Sequence, residues 1–295
     1  MATVAIAQND DIAQAIEEAL SYFDLDPLFR GKLVAIHPND TYATPTDTTA
    51  VTQPDTLEAA IRYVKRFGPR HIVISGGSGS RYTTDEVFQN SGMIEVVQRE
   101  GVEYFDHNRG PYVMVPLQYG PMSEVAVNPR ILEYETVISL GQLKLHRESV
   151  LVASIKNIAM SWPCTDYYGL PRMWNKYGRS GMVKDKDGFI AGMAQRFPIH
   201  LAIVVGHPAM IATGPTHGIP VETGLVIAGL DAVAVDAICA HLMGFSTYGV
   251  KYLREAAQLG VGEGELVNIS TLGLTLDDAT RHFTKRAYGV ETTLT

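Results

Sequence analysis

A chain of 295 residues with 46% hydrophobic and 19% charged side chains can bury a full core, which excludes a disordered protein. Its formal net charge of −8 excludes the broad basic surface that neutralises phosphates, so no nucleic acid is expected as partner. The apolar patch before Asp10-Asp11 has no basic start, and no run of roughly 20 apolar residues occurs, so the expectation is a cytoplasmic protein with neither signal peptide nor membrane span.

In chain order, Asp10 or Asp11 is placed to cap a helix running to about Tyr22. Residues 32–36 read as a strand, and residues 54–67 as a helix with Pro54 in its first turn. Leu57, Ile61, Val64 and Phe67 make one apolar stripe on that helix, and residues 71–75 are the next strand. Strand, helix and strand in this order predict a parallel sheet with right-handed crossovers. The run Ser75-Gly76-Gly77-Ser78-Gly79-Ser80-Arg81 then leads into a helix opening at Thr83 or Thr84. Gly76, Gly77, Ser78 and Gly79 are candidate substrate contacts, because glycine allows the close approach of an anion cradle. A plain tight turn stands beside that reading: the Gly-Lys-Ser/Thr ending of a P-loop is missing, and Asp85 and Glu86 would repel a phosphate.

Residues 102–137 are strand-rich, with runs at 102–105, 112–117, 124–127 and 136–140. Asn108-Arg109-Gly110-Pro111 and Gly120-Pro121 join them, which suits hairpins or an insertion at a sheet edge. Asp106-His107-Asn108 follows a strand end and is either a turn or a ligand contact.

The densest chemistry comes next, in Gly141-Gln142-Leu143-Lys144-Leu145-His146 and in Lys156-Asn157. Two residues apart on an extended segment, Lys144 and His146 point the same way. Lys156 sits on residues 150–158, which read as a helix. Around a carboxylate or phosphate, Lys144 and Lys156 supply charge, His146 moves a proton near neutrality, and Asn157 orients a carbonyl. The structural alternative pairs the lysines with internal carboxylates and His146 with a backbone carbonyl.

Residues 162–196 hold Trp162, Tyr167, Tyr168, Trp174 and Tyr177 among Arg172, Lys176, Arg179, Lys184 and Lys186, with no helical or alternating period. They are expected to form a lid or an interface loop between copies of the chain. Residues 200–205 and 225–228 read as strands, Gly214-Pro215-Thr216-His217-Gly218 as a rigid turn, and Asp231 as the cap of a helix over 232–243. Among apolar helical neighbours, Asp236 is expected to be buried beside Lys144 or Lys156, in the substrate site.

These blocks resemble the domain-of-unknown-function 362 family over about residues 32–264. The resemblance is carried by residues 143–157, by the His217 turn, and by Leu230-Asp231-Ala232-Val233-Ala234-Val235-Asp236-Ala237 with Leu242-Met243-Gly244-Phe245. Two departures stand out: His37-Pro38-Asn39 replaces the family's usual Lys-Pro-Asn, and Gly206-His207 stands where an aspartate is usual. The resemblance implies an α/β fold, a mostly parallel sheet with flanking helices and a strand-rich insertion. One domain over residues 1–295, or two lobes with a boundary near 141–200, both fit. Relatives often carry ferredoxin-like cysteine runs, but Cys164 and Cys239 cannot hold a four-cysteine cluster within one chain. A divalent metal is a second reading, since His37, His107, His146, His207 and His217 sit at strand ends and turns; His37 and His217 are the candidate ligands. The expected function is acid/base chemistry on a small anionic substrate, of isomerase or epimerase type, in a cleft that includes Asn39. A metal-dependent oxidoreductase and a non-catalytic binding module are the alternatives, and a homo-oligomer is allowed.

Overall fold

The chain opens on a strand, β1 (Ala2–Gln8), where the sequence suggested only an apolar patch. Helix α1 (Ile12–Ser21) follows, capped by Asp11, whose carboxylate accepts from the Ala13 and Gln14 N–H groups. After α2 (Asp26–Phe29), the wholly buried β2 (Leu33–Pro38) crosses the core and leads to a small hairpin, β3 (Tyr42–Thr44) and β4 (Asp47–Ala50). Helix α3 (Pro54–Lys65), with Pro54 in its first turn, returns the chain to β5 (His71–Gly76). Thr83 and Glu86 form a capping box on α4 (Thr84–Ser91), and α5 (Met93–Glu100) precedes β6 (Glu103–Asp106). The expected insertion is a hairpin outside the main sheet, β7 (Val113–Pro116) with β8 (Glu124–Val127).

Strand β9 (Thr136–His146) then runs the width of the sheet and turns back as β10 (Val150–Val152). The helix expected over 150–158 is thus this short strand followed by α6 (Ser154–Ser161). Beyond α7 (Thr165–Tyr168), residues 186–196 form a helix, α8 (Lys186–Arg196), rather than loop. It shows no amphipathic period because it is buried nearly all round: a Cβ at Gly192 would collide with the Tyr119 carbonyl. The C-terminal part adds β11 (Leu201–Ile211), β12 (Ile219–Val221), β13 (Leu225–Gly229), α9 (Ala232–Leu242), α10 (Lys251–Gln258), β14 (Ile269–Gly273) and α11 (Leu276–Tyr288).

This computed structural model describes residues 1–172, 182 and 184–293, so most of the basic and aromatic stretch expected as a lid or interface, at 173–181 and 183, lies outside the described residues. The main sheet has ten strands in the order β14-β1-β13-β11-β9-β2-β5-β6, with β10 on β9 and β12 on β11. From β11 through β6 the neighbours are parallel; β13 is antiparallel to both β11 and β1, which makes the sheet mainly rather than wholly parallel. One face carries α1, α3, α4 and α5 on a core around Ile16, Leu57, Ile61 and Phe88. The other carries α6, α8, α9, α10 and α11 around Ile155, Phe189, Val235, Leu253 and Phe283. The chain leaves β2 through α3 toward β5, and leaves β9 through α6 and α8 toward β11, on opposite faces. Connections therefore diverge at the C-terminal ends of β2 and β9, the place where open α/β sheets form a crevice. Among the described residues no helix is long and apolar enough to cross a membrane.

Candidate active site

The diverging strand ends bring together the residues that the sequence singled out. His37 and Asn39 come from the end of β2, Lys144 and His146 from the end of β9, and Lys156 and Asn157 from α6. Asn157 Nδ2 donates to the His37 carbonyl at 3.1 Å and to Ser139 Oγ at 3.2 Å, while its Oδ1 accepts from Asn39 Nδ2 at 3.0 Å. Asn39 Oδ1 in turn accepts from Lys144 Nζ at 2.8 Å. Both Asn157 N–H groups are thus used to tie α6 to β2 and β9, which makes this side chain a fastener of the site. Lys144 Nζ also donates to the Ala50 carbonyl at 3.0 Å and to Thr41 Oγ1 at 3.4 Å, so its three donors are all engaged.

Burial dominates the electrostatics. Lys144 is fully buried, and desolvation pulls its ammonium down to about 7 against the attraction of Asp40. Lys156, 7% exposed, is pushed well below the usual lysine range by desolvation and then by the charges of Lys186 and Lys144. Among the described residues neither lysine has an ion pair, and Lys156 Nζ has no hydrogen-bond partner. His146 Nδ1 accepts from the Glu148 and Ser149 N–H groups at 3.0 and 3.2 Å, which fixes the ring proton on Nε2. Desolvation, followed by Lys156 and Lys186, lowers this imidazole to about 2, so it is neutral and offers an N–H. The turn that supplies those N–H groups ends at Val150, a β-branched residue held at φ 64°, which places backbone strain beside the site.

Sequence reading missed Asp40, although Pro38-Asn39-Asp40 follows a strand end where ligand contacts gather. Its buried carboxylate accepts from the Gly77 N–H at 2.6 Å, and desolvation raises it to about 7.

The glycine run has a structural use. A Cβ at Gly76 would collide with the Thr84 side chain, one at Gly77 with the Ser161 carbonyl, and one at Gly79 with the Arg172 guanidinium. Arg172 is buried here, its Nη2 donating to Asn108 Oδ1 at 2.8 Å, to the Gly77 carbonyl at 3.0 Å and to the Ser161 carbonyl at 3.3 Å. The Ser78 carbonyl accepts from Asn108, while its buried hydroxyl has no partner among the described residues. The turn therefore wraps a guanidinium of the chain itself and touches the site through Gly77 and Asp40.

Asp236 corrects an expectation. It is buried as anticipated, but it pairs with neither lysine: Oδ1 accepts from Ser154 N at 2.8 Å and Ser154 Oγ at 2.5 Å, and Oδ2 from Ile155 N at 3.1 Å. Helix α6 has no cap of its own, and Asp236 supplies one from α9. Asp231 caps α9 as expected, accepting from the Val233 and Ala234 N–H groups at 3.0 Å.

The histidines are dispersed. His37 Nδ1 lies 2.9 Å from Ser75 Oγ, its buried Nε2 has no partner among the described residues, and burial lowers the ring to about 3. His107 Nε2 is 2.8 Å from the Tyr134 hydroxyl. His207 lies between Asp55 at 3.0 Å and Glu222 at 2.8 Å, which raise it to about 9. The neighbouring Gly206 is required by the close approach of Thr223. His217 is exposed, with its ring 5.7 Å from that of Tyr42. His37 and His217 thus meet different partners, and among the described residues no three or more His, Cys, Asp or Glu side chains are grouped to hold a metal ion. Cys164 and Cys239 are both buried and free.

The family profile described as Domain of unknown function (DUF362) matches residues 34–241. A thylakoid-associated protein of Synechocystis sp. is 21% identical over 212 residues, covering 72% of this chain and 63% of that protein, so the chain spans under two thirds of this relative. A crystal structure of a protein from Thermotoga maritima overlays with a TM-score of 0.47 at 15% identity, covering 85% of this chain and 60% of the other.

Proposed function

The chain belongs to the DUF362 family, and from that premise we propose that the crevice between β2 and β9 binds a small anionic substrate and transfers a proton on it. Charge carries this reading. Lys144, Lys156 and Arg172 are all buried, and among the described residues none of the three has an ion pair. A buried ammonium without a counter-charge costs several kcal/mol, which a bound carboxylate or phosphate offsets. Lys144, with its donors spent, supplies positive charge below neutrality and takes no part in the proton transfer. His146 Nε2 supplies a neutral N–H donor. The acid/base role assigned to His146 from sequence passes to Lys156, because two backbone N–H groups hold the imidazole lone pair while the Lys156 amine has no partner among the described residues. A lysine lowered toward working pH is suited to taking and returning a proton.

Titration calorimetry with propionate and with inorganic phosphate tests the reading. At least one should bind the wild type and bind the Lys156→Met variant about tenfold more weakly, the effect of losing one hydrogen-bonding contact. An unchanged affinity in the variant, or no binding to the wild type, would overturn it. Deuterium entering a bound carboxylic acid at the carbon beside its carboxylate would report the proton-transfer step.

A further inference from the structure

We infer that Lys156 is an imine-forming amine whose partner is a small anion bearing a carbonyl group, of the 2-oxo acid class. The inference rests on the crevice being an anion site and adds covalent chemistry to it. The three neighbouring lysines differ in what their Nζ atoms have left to offer. Lys144 has three acceptors at 2.8, 3.0 and 3.4 Å. Lys186 is ion-paired to Glu148. Lys156 has no acceptor among the described residues although the residue is only 7% exposed. The cationic groups acting on it are Lys186 and Lys144, and the carboxylates are Asp187 and Glu148. Desolvation beside cationic groups is the setting that leaves a lysine as free amine, and the free amine is the nucleophile.

The step balances without an added reagent. The Nζ lone pair adds to the carbonyl carbon to give a carbinolamine. The carbon–oxygen bond then breaks, the oxygen leaving as water with both amine hydrogens. The His146 Nε2–H can polarise the carbonyl oxygen during addition, and the substrate carboxylate offsets the Lys144 charge. The imine withdraws electrons from the adjacent carbon and acidifies its proton, which joins this chemistry to the proton transfer proposed above.

Pyruvate with sodium cyanoborohydride, which reduces an imine to a stable amine, is the probe on the intact chain near neutral pH, read by peptide mass mapping. The expected adduct sits on Lys156 and forms about tenfold or more faster than on exposed lysines, since each unit by which a lysine is lowered gives tenfold more free amine. The Lys156→Arg variant should lose it; if that variant does not fold, the wild-type map decides. An adduct spread over exposed lysines with none on Lys156, while calorimetry shows pyruvate bound, overturns the imine and leaves the anion site standing. No adduct on Lys156 and no heat with either pyruvate or propionate overturns both.

Discussion

Helix α6 touches two buried charges that the fold treats in opposite ways. At its first turn the Asp236 carboxylate receives three donors, two of them backbone N–H groups that the helix could not otherwise satisfy. Two residues along, Lys156 receives no hydrogen bond from the described residues, and desolvation followed by the charges of Lys186 and Lys144 outweighs the attraction of Asp187 and Glu148. Desolvation opposes both ions, so the difference lies in what the surroundings return. Where a buried charge has its partners from the fold, its work is structural. Where they are withheld, the partner is left for a ligand to supply.

The sharpest way to break this comparison is at Asp236. Asp236→Ala leaves the Ser154 and Ile155 N–H groups buried without acceptors and should cost about 3 kcal/mol, with Asp236→Asn costing less because one acceptor remains. Urea denaturation measures both; a neutral Asp236→Ala would mean that the contact is not a cap. Next in size is Gly79→Ala, whose new Cβ would displace the Arg172 guanidinium from the Gly77, Ser161 and Asn108 acceptors. A loss of about 2 kcal/mol is expected from such overpacking, and an undisturbed stability would return the glycine turn to the status of ligand cradle.

Lys156→Met should move stability the other way, gaining about 1 kcal/mol near neutral pH because a costly buried amine gives way to an apolar chain of similar length. The sign with pH follows from the lowered value. Between the folded and unfolded pKa values the unfolded chain binds more protons, so the wild type gains stability as pH rises through that window. The advantage of Lys156→Met is therefore largest at the acid end and vanishes above about 10.4, the unfolded lysine value. Thermal unfolding across pH reads this directly, and an advantage that grew with pH would contradict the burial argument.

The same contrast explains what could be read from the sequence. Strands β2, β5, β8 and β13 and the caps Asp11 and Asp231 announce themselves through short apolar runs and through side chains that bond their own neighbourhood. Lys144, Asn39 and Asn157 are joined by hydrogen bonds because the strand ends and helix that carry them flank one divergence of the sheet. Interactions between distant segments carried no such signal. Asp236 looked like a partner for lysine because nothing local shows that α6 lacks its own cap. Arg172 read as part of a loop because its acceptors, the Ser161 and Gly77 carbonyls and Asn108 Oδ1, lie 11, 95 and 64 residues away. Asp40 passed unnoticed for the same reason, its carboxylate accepting from the Gly77 N–H 37 residues away. Helix α8 lost its period by being buried on nearly every side.

The gentlest test keeps the chain intact and varies only pH. Burial lowers Lys144 to about 7 and raises Asp40 to about 7, and the Asp40 charge works against the lowering of Lys144. Below neutrality the lysine is an ammonium and the aspartate a neutral acid, which leaves the crevice positive. As pH rises through 7 the aspartate gains a negative charge and the lysine loses its positive one, and each change repels an anion. Affinity for propionate should therefore fall by up to about tenfold per pH unit, about 1.4 kcal/mol, above neutrality. Asp40→Asn removes one of the two titrations and should flatten the fall without reversing it. An affinity that is flat with pH in the wild type would mean that Asp40 and Lys144 do not sense the anion, and would move the ligand away from β9 toward Lys156 and His146 alone.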